Sequence, residues 1–246
     1  MEIHYFDTLE STNNYCKLLD PNTVEEFTVI CAYTQTSGVG QQGNVWTSEP
    51  NKNLTFSIIL KPTFIQTSDQ YQLTMALAVA IAETVEETLS KFRIQKSTFI
   101  KWPNDIYVGS KKICGTLITS KISNDHIKQA ICGVGLNVNQ TEFPEWVPNP
   151  TSLKLLTNEE CELDTLLDSL LENIESNYQQ LKEDSKKIER KYLQRLYRLG
   201  QISDYVYQGK QIRATITGVN RFGQLMLVAD NSKIICCDLK EIKFII

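Results

Sequence analysis

The chain has few of the residues that build metal sites, disulfide frameworks or low-complexity segments. Its 246 residues include two histidines and seven cysteines with no C-x-x-C pair, which argues against a zinc site. Its 11 glycines and 7 prolines are too few for a collagen-like or low-complexity chain. The longest apolar stretch, 73–82, is about half the length that a membrane span needs. A chain of this length buries a core large enough to fold without a metal or disulfides.

The chain also lacks an excess of positive charge. It has 25 basic and 29 acidic residues, a net charge of -4 and a pI of about 5.4. This balance argues against nucleic-acid binding by bulk phosphate neutralisation. The first residues include an acid and run directly into strand-like sequence, so no signal peptide is expected. The scattered cysteines are typical of small buried residues in a reducing compartment, which predicts a cytoplasmic protein.

The hydrophobic periodicity predicts an α+β fold, in which helices pack on a mixed and mostly antiparallel sheet. Strands are predicted at 3–6, 27–33, 53–60, 98–102, 105–108, 112–120 and 127–137. A short helix follows residue 12, and longer helical patterns run over 70–92 and 161–181, with charged helical sequence continuing to 196. Beyond residue 198, five short β-type segments with tight turns predict a small SH3-like barrel. We therefore expect a ligand-binding domain at 1–197 and the barrel at 198–246.

A polar segment with three glycines lies between two predicted strands. Residues 38–44 read GVGQQGN, and Trp46 follows. Glycines at these spacings allow backbone amides to approach a ligand closely. A flexible surface loop has the same composition, and no Gly-Lys-Ser/Thr follows as in a Walker loop. Because little apolar surface precedes Trp46, we expect the segment to be mobile without ligand.

Two further features place a charge or glycine where an ordinary core would not. Lys101 ends an apolar strand before the turn at 103–105, and an anionic ligand would account for an ammonium that is partly desolvated there. Gly115 interrupts a predicted strand, and residues 133–139 read GVGLNVN. Glycine weakens a strand unless something approaches its backbone. A bulge or tight packing explains each feature alone, but together they favour a shared ligand groove.

The order of these motifs resembles that of the biotin protein ligases. The motifs are Ser-Thr-Asn at 11–13, Gln35 with the glycine segment, KWPND at 101–105, KKxxG at 111–115 and GxGxN at 133–137. The resemblance covers the larger domain and extends to the small barrel. It implies that biotin is activated with ATP and Mg²⁺ to biotinyl-5'-AMP. It also implies transfer of biotin to a lysine of biotin carboxyl carrier protein.

The resemblance implies two sets of ligand contacts and one catalytic residue. The biotin contacts are Ser11, Thr12, Asn13, Gln35, Gly38 and Gly115. The ATP and adenylate contacts are Val39, Gly40, Gln41, Gln42, Gly43, Asn44, Trp46, Asn104, Lys112 and Asn137. Of these, Trp46 and Asn137 are implied to contact adenine, and Lys112 the ribose or phosphates. Lys101 matches the family's central lysine, which we expect to stabilise the transition state without acting as a covalent nucleophile. The ligands of Mg²⁺ are left open.

The chain departs from the family's loop pattern, G-R-G-R-x-G-R, because Val39, Gln41 and Asn44 occupy the arginine positions. Loss of a charged hydrogen bond at position 39 could cost about 1.5–3 kcal/mol. We therefore expect an active ligase that releases its adenylate readily. No DNA-binding domain fits ahead of residue 11, so no operator binding is expected. Exposed sheet edges leave both a monomer and a homodimer open.

Three alternatives stand beside this interpretation. A lipoate or octanoate ligase or transferase of the same fold would transfer octanoate instead of biotin. A non-catalytic protein would bind biotin without releasing pyrophosphate. In an α+β domain whose glycines serve only packing, Lys101→Ala would change stability and nothing else.

Overall fold

The computed structural model describes residues 1–230 and 232–245, apart from the side chain of Gln42. The strands of the larger sheet are β1 (Glu2–Leu9), β2 (Thr28–Gln35), β3 (Leu54–Leu60), β4 (Thr98–Lys101), β5 (Asp105–Val108), β6 (Lys111–Ser123) and β7 (His126–Leu136). The helices are α1 (Thr12–Leu18), α2 (Tyr71–Lys91), α3 (Leu153–Thr157), α4 (Leu163–Glu183) and α5 (Ser185–Arg195). The smaller sheet consists of β8 (Ile202–Tyr207), β9 (Lys210–Val219), β10 (Leu225–Ala229), β11 (Ile234–Cys237) and β12 (Ile242–Phe244).

The larger sheet has the strand order β1-β2-β3-β7-β6-β5-β4. β1 pairs with β2 in parallel through the α1 crossover, and the other neighbouring strands pair in antiparallel fashion. This arrangement confirms the predicted mixed and mostly antiparallel sheet. The interior strand β3, next to the central strand β7, is buried along its whole length, so both faces of the sheet are covered there.

Three helices cover one side of this sheet. The apolar residues that recur every four positions along α2 are all buried, namely Leu73, Leu77, Ile81, Val85 and Leu89. The alanines between them are buried too, so α2 is covered on more than one side, as predicted. α4 and α5 pack on it, and α5 is tied to it by Lys191–Glu83 at 3.1 Å and Arg195–Glu86 at 3.0 Å.

The smaller sheet is antiparallel with the order β11-β10-β9-β8-β12, which agrees with the predicted SH3-like barrel. Its core is built from Tyr205, Ala214, Ile216, Leu225 and Leu227, all fully buried. The segment before it joins both sheets, because Leu196 forms a bridge with Ile100 and Leu199 forms one with Ile216. The connection places the barrel beside the end of β4, where Lys101 lies. The domain boundary near residue 198 stays a prediction.

Some local details differ from the sequence-based expectations. α3 was not predicted, and the helical region over 161–196 is interrupted at Asp184, whose side chain caps α5 by accepting from the Lys187 amide at 3.2 Å. The cysteines are not uniformly buried: Cys236 is exposed and Cys161 half-buried. Cys236 points outward because side chains alternate between the two faces of β11. Within the described ranges, no helix is long and apolar enough to cross a membrane.

Candidate active site

A cavity of about 190 Å³ opens where the start of α1, the glycine segment and the turn after β4 meet the strands β6 and β7. The predicted residues that line it are Ser11, Thr12, Asn13, Gln35, Val39, Gly40, Gln41, Asn44, Trp46, Lys101, Asn104, Lys112 and Gly115. The structure therefore brings together side chains from motifs that lie far apart in the sequence. Gly38, Gly43 and Asn137 are not among the residues that line this cavity.

A polar cluster lies at the start of α1. Ser11 is the N-cap of this helix, because its hydroxyl accepts from the Asn14 amide at 3.4 Å. The Thr12 hydroxyl is therefore not needed as a cap and lies 2.9 Å from the hydroxyl of Ser57. The Thr12 backbone amide donates to Gln35 Oε1 at 2.8 Å, which leaves the Gln35 amide nitrogen as a remaining donor.

Asn13 carries the strongest sign that this cluster binds a ligand. The residue is 3% exposed, and neither Nδ2 nor Oδ1 has a hydrogen-bond partner among the described residues. A buried polar group left without a partner costs about 1–3 kcal/mol. Asn13 Nδ2 lies beside Gly133, where an added Cβ would be 3.4 Å from it. A ligand that offers both a donor and an acceptor here would satisfy the amide.

The glycine segment forms a small hairpin. Val39 and Val45 form an antiparallel bridge, the Gly40 amide donates to the Asn44 carbonyl at 2.7 Å, and the Trp46 amide donates to the Gly38 carbonyl at 2.9 Å. A Cβ on Gly38 would overlap the Trp46 carbonyl oxygen, so this tight pairing requires glycine. The tip is a 3-10 turn over Gln41–Gly43. The predicted contact through the Gln42 side chain lies outside the described part of the structure. The mobility of the segment stays a prediction.

The Trp46 side chain, at the end of the hairpin, packs on two glycines of the large sheet. The Trp46 indole lies across β6 and β7, where a Cβ on Gly115 would be 3.3 Å from Cζ3 and one on Gly135 would be 2.6 Å from Cζ2. The indole Nε1 is buried and has no partner within the described ranges. Lys112 Nζ lies 5.8 Å from the centre of the ring. The glycines in mid-strand therefore admit the protein's own indole ring against the backbone, which is the tight packing left open by the sequence, and the ligand groove stays a prediction.

Contacts with three other elements hold the turn between β4 and β5. The Tyr71 hydroxyl of α2 donates to the Pro103 carbonyl at 2.9 Å, and the Trp102 indole donates to the Gly223 carbonyl of the barrel at 2.8 Å. The Asn104 side-chain amide donates to the Thr116 carbonyl of β6. These bonds fix the position of the turn relative to both sheets. They also give Asn104 a structural role beside its place in the cavity wall.

Lys101 ends β4 next to this turn. Its Nζ lies 4.8 Å from the ring centre of Phe244 and 5.4 Å from that of Tyr107. Burial lowers the pKa of Lys101, Asp105 opposes this effect, and Lys112 and Arg198 add to it. The Asp105 carboxylate is bound to Lys112 at 2.6 Å, and no described carboxylate lies within 4.0 Å of the Lys101 amine. The rim therefore holds a partly desolvated cation without an ion-pair partner, which favours an anionic ligand.

Asn137 lies just behind the cavity. Its backbone amide donates to Ile113 and its side-chain Nδ2 donates to the Thr151 carbonyl, both at 2.9 Å. The bond to Thr151 uses one of the two N–H donors of the side-chain amide. The adenine contact of Asn137 stays a prediction.

Sequence reasoning missed several residues of this region, among them Gly133, Gly135, Ser57, Tyr107 and Phe244. Gly133 and Gly135 had a signal, since they are the two glycines of the 133–137 motif. Ser57, Tyr107 and Phe244 had none, because they reach the site through strand pairing and through contact between the two sheets. Such contacts leave no local pattern in a sequence.

The fold and the cavity define a small-molecule site on an α+β sheet, polar at one end and cationic at the other. Residues 5–137 match the Biotin/lipoate A/B protein ligase family, and the chain belongs to this family. It is 34% identical over 177 residues to the bifunctional ligase/repressor BirA of Bacillus subtilis, covering 71% of this chain and 53% of that protein. It is 29% identical over 126 residues to the biotin–[acetyl-CoA-carboxylase] ligase of Mycobacterium tuberculosis, covering 51% and 44%. The chain thus spans about half the length of the curated relatives it matches.

The fold is also shared with a solved structure over nearly its full length. A biotin protein ligase from Aquifex aeolicus in complex with biotin and ATP superimposes with a TM-score of 0.80 and 27% identity. The alignment covers 98% of this chain and 97% of that protein, including the small barrel. The two-sheet architecture is therefore shared with that protein.

Proposed function

We propose that this chain is a biotin protein ligase, which activates biotin with ATP and transfers it to a lysine of an acceptor protein. The observation that carries the proposal is the composition of one continuous cavity. Gly133 and Gly135 occupy successive positions on the same face of β7, the first beside the unpaired Asn13 amide and the second beneath the Trp46 ring. The cations Lys101 and Lys112 complete the wall. The cavity thus offers polar groups to the head group of biotin, a flat surface to the adenine ring, and cations to the carboxylate and phosphate that react.

In the first reaction, an oxygen of the biotin carboxylate forms a bond to the α-phosphorus of ATP. The bond from that phosphorus to the oxygen bridging the β-phosphate breaks, and pyrophosphate leaves. Two anions must approach one another, and negative charge is present on the phosphoryl oxygens throughout. The ammonium group of Lys101, with amides of the glycine hairpin, offsets that repulsion, whereas the charge of Lys112 is balanced by Asp105 at 2.6 Å. Lys101 acts as a fixed cation and forms no covalent bond.

In the second reaction, the neutral amine of the acceptor lysine attacks the acyl carbon of biotinyl-5'-AMP. The bond between that carbon and the phosphate oxygen breaks, AMP leaves, and the amine releases its proton to solvent. We propose biotin carboxyl carrier protein as the acceptor and the cytoplasm as the location.

ATP is proposed to enter as its magnesium complex. Among the described residues of the cavity wall, Asp105 has the only acidic side chain, and it is paired with Lys112. The described residues contain no group of three His, Cys, Asp or Glu side chains suited to a metal ion. We therefore assign no protein ligand to Mg²⁺.

The polar cluster also supports biotin over octanoate. The ureido ring of biotin offers N–H donors and a carbonyl acceptor, whereas an octanoyl chain offers neither. With octanoate bound, polar atoms of Asn13 and Gln35 would remain without hydrogen-bond partners, and each such atom costs about 1–3 kcal/mol. This difference disfavours the lipoate or octanoate alternative.

Biotin-dependent exchange of labelled pyrophosphate into ATP tests the proposal. We expect exchange with the unsubstituted protein and a loss of about 10²–10³-fold in Lys101→Ala, because one preorganised charge contact at the phosphorus is removed. Lys111→Ala is the matched control, since Lys111 is exposed and outside the cavity wall. Biotin should also raise the melting temperature with the logarithm of its concentration.

Each alternative predicts a different result. Exchange that depends on octanoate would replace biotin as the substrate. A melting temperature that rises with biotin, without any exchange, would identify a non-catalytic binder. Equal exchange by Lys101→Ala and Lys111→Ala would contradict the role of Lys101.

A further inference from the structure

We propose that Phe244, in the last strand of the barrel, is a positioning residue that holds the catalytic lysine through its aromatic face. The inference rests on the proposed function, because it assigns to the barrel a direct part in the first reaction. Lys101 belongs to the large sheet, whereas Phe244 belongs to the small one, so the two sheets would build this corner of the site together.

The geometry places the amine between two rings from different strands. Phe244 of β12 lies 4.8 Å and Tyr107 of β5 lies 5.4 Å from the Lys101 Nζ, measured to the ring centres. Both distances are within the range of about 6 Å at which an ammonium is attracted to an aromatic face. The lysine side chain is thereby restrained at its charged end, which a four-carbon chain does not achieve by itself.

The Phe244 ring is held in place before any ligand binds. It packs edge-on against its strand partner Tyr205 at 5.3 Å, and Tyr197 lies 6.4 Å away. Tyr197 is also 5.7 Å from Tyr107, so it links the two rings that face the lysine. The next residue along the chain is anchored, since Arg198 donates to the Ile245 carbonyl at 2.9 Å. The aromatic wall is thus part of the folded framework.

Aromatic faces suit this lysine better than a carboxylate would. An aspartate in contact with Lys101 would compensate its burial but would also neutralise the charge needed by two incoming anions. A ring quadrupole stabilises the cation while leaving its full charge available to the ligand. The nearby acid Asp105 is instead engaged by Lys112 at 2.6 Å. Lys101 and Asn44 line both the candidate cavity and a neighbouring cleft, and Phe244 lines that cleft, so the ring borders the space around the lysine.

Replacement of the ring tests the proposal in the full-length protein. In biotin-dependent ATP–pyrophosphate exchange, Phe244→Leu should lower kcat about five- to tenfold and leave the KM for biotin within twofold. Phe244→Tyr should restore the rate to within twofold, because it returns the aromatic face. Phe64→Leu is the matched control, since its ring packs on Tyr178 and does not line the cleft, and its rate should be unchanged.

Fluorinated phenylalanines at position 244 separate the electrostatic role from packing. Adding one, two and then three fluorines weakens the ring quadrupole while nearly preserving its shape, so kcat should fall stepwise toward the leucine value. The series remains informative even where Phe244→Leu fails to fold. An unchanged kcat across the fluorinated series, with normal exchange by the unsubstituted protein, would overturn this inference alone. Absence of exchange in the unsubstituted protein would overturn the proposed function and this inference with it.

Discussion

Replacing Gly135 with alanine should destabilise the unliganded protein through a clash with one side chain. An ideal Cβ at this position would lie 2.6 Å from Cζ2 and 2.7 Å from Nε1 of Trp46, distances that no real contact tolerates. Alanine itself is acceptable in a strand, and glycine is the weaker strand former. The whole cost therefore comes from displacing the indole and the hairpin that carries it.

The magnitude follows from the cost of overpacking, which is about 1–3 kcal/mol for an added methyl group at a filled position. The hairpin sets the upper limit, because the indole can move away while the backbone bonds from Trp46 to Gly38 and from Gly40 to Asn44 stay intact. We therefore expect Gly135→Ala to lower the free energy of unfolding by about 1–3 kcal/mol. In a Trp46→Ala background the same change should cost almost nothing, so the two substitutions couple by nearly the full amount.

Urea unfolding of the four proteins in this cycle measures the coupling. Gly133→Ala provides a matched control two residues along the same strand, since its nearest neighbours would lie at 3.4 Å and none belongs to Trp46. Its cost should be the same with and without the tryptophan. If Gly135→Ala proved equally costly in both backgrounds, the Trp46 indole would not pack on this glycine in the unliganded protein. The interpretation that Gly135 is required by the indole would then be wrong.

Three further outcomes are expected. Val39→Arg should slow dissociation of biotinyl-5'-AMP by about 10–150-fold, the equivalent of one charged hydrogen bond, and an unchanged rate in a rapid-dilution assay would contradict this. Because burial lowers the pKa of Lys101 below its usual 10.5 and the reaction needs the ammonium, kcat/KM for exchange should fall as pH rises through that lowered pKa. A pH profile whose alkaline limb lies at or above 10.5 would refute this assignment. Trp102→Phe should cost about 1–3 kcal/mol in urea unfolding by leaving the Gly223 carbonyl unpaired, whereas the same change at the exposed Trp146 should cost little.

The sequence predicted those elements whose pattern is local. The helix α2 and the strand β5 begin and end within one residue of their predicted bounds. Burial of one face of an element produces a regular spacing of apolar residues, which the sequence shows directly. α3 was missed, since a helix of five residues is too short to show a period. The break at Asp184 depends on a cap that competes with a continuous helical pattern.

The sequence predicted those parts of the site whose residues lie on elements that the sequence also predicted. Gly115, Lys101 and the 11–13 motif converge on one cavity because their strands and helix pack as expected. The segment 38–46 was expected as a polar loop, and its hairpin pairing was not foreseen, because that pairing joins backbone groups and leaves no pattern in the sequence beyond the glycines. Asn137 shows the opposite limit: it was expected to contact adenine, but it does not line the cavity, and its bond to Thr151 depends on a loop whose path the sequence does not reveal.

The bond from Trp102 to Gly223 has a consequence for any attempt to exchange parts between relatives. Gly223 has a φ of +85° and packs against Tyr71, with an ideal Cβ only 2.5 Å from Cδ2 of the ring. The barrel turn, the β4–β5 turn and the start of α2 therefore interlock. Neither sheet can melt without exposing surfaces that the other covers, and the chain should therefore unfold in a single cooperative transition. A chimera that contains this barrel therefore also needs Tyr71 and the turn at 102–104 from this chain.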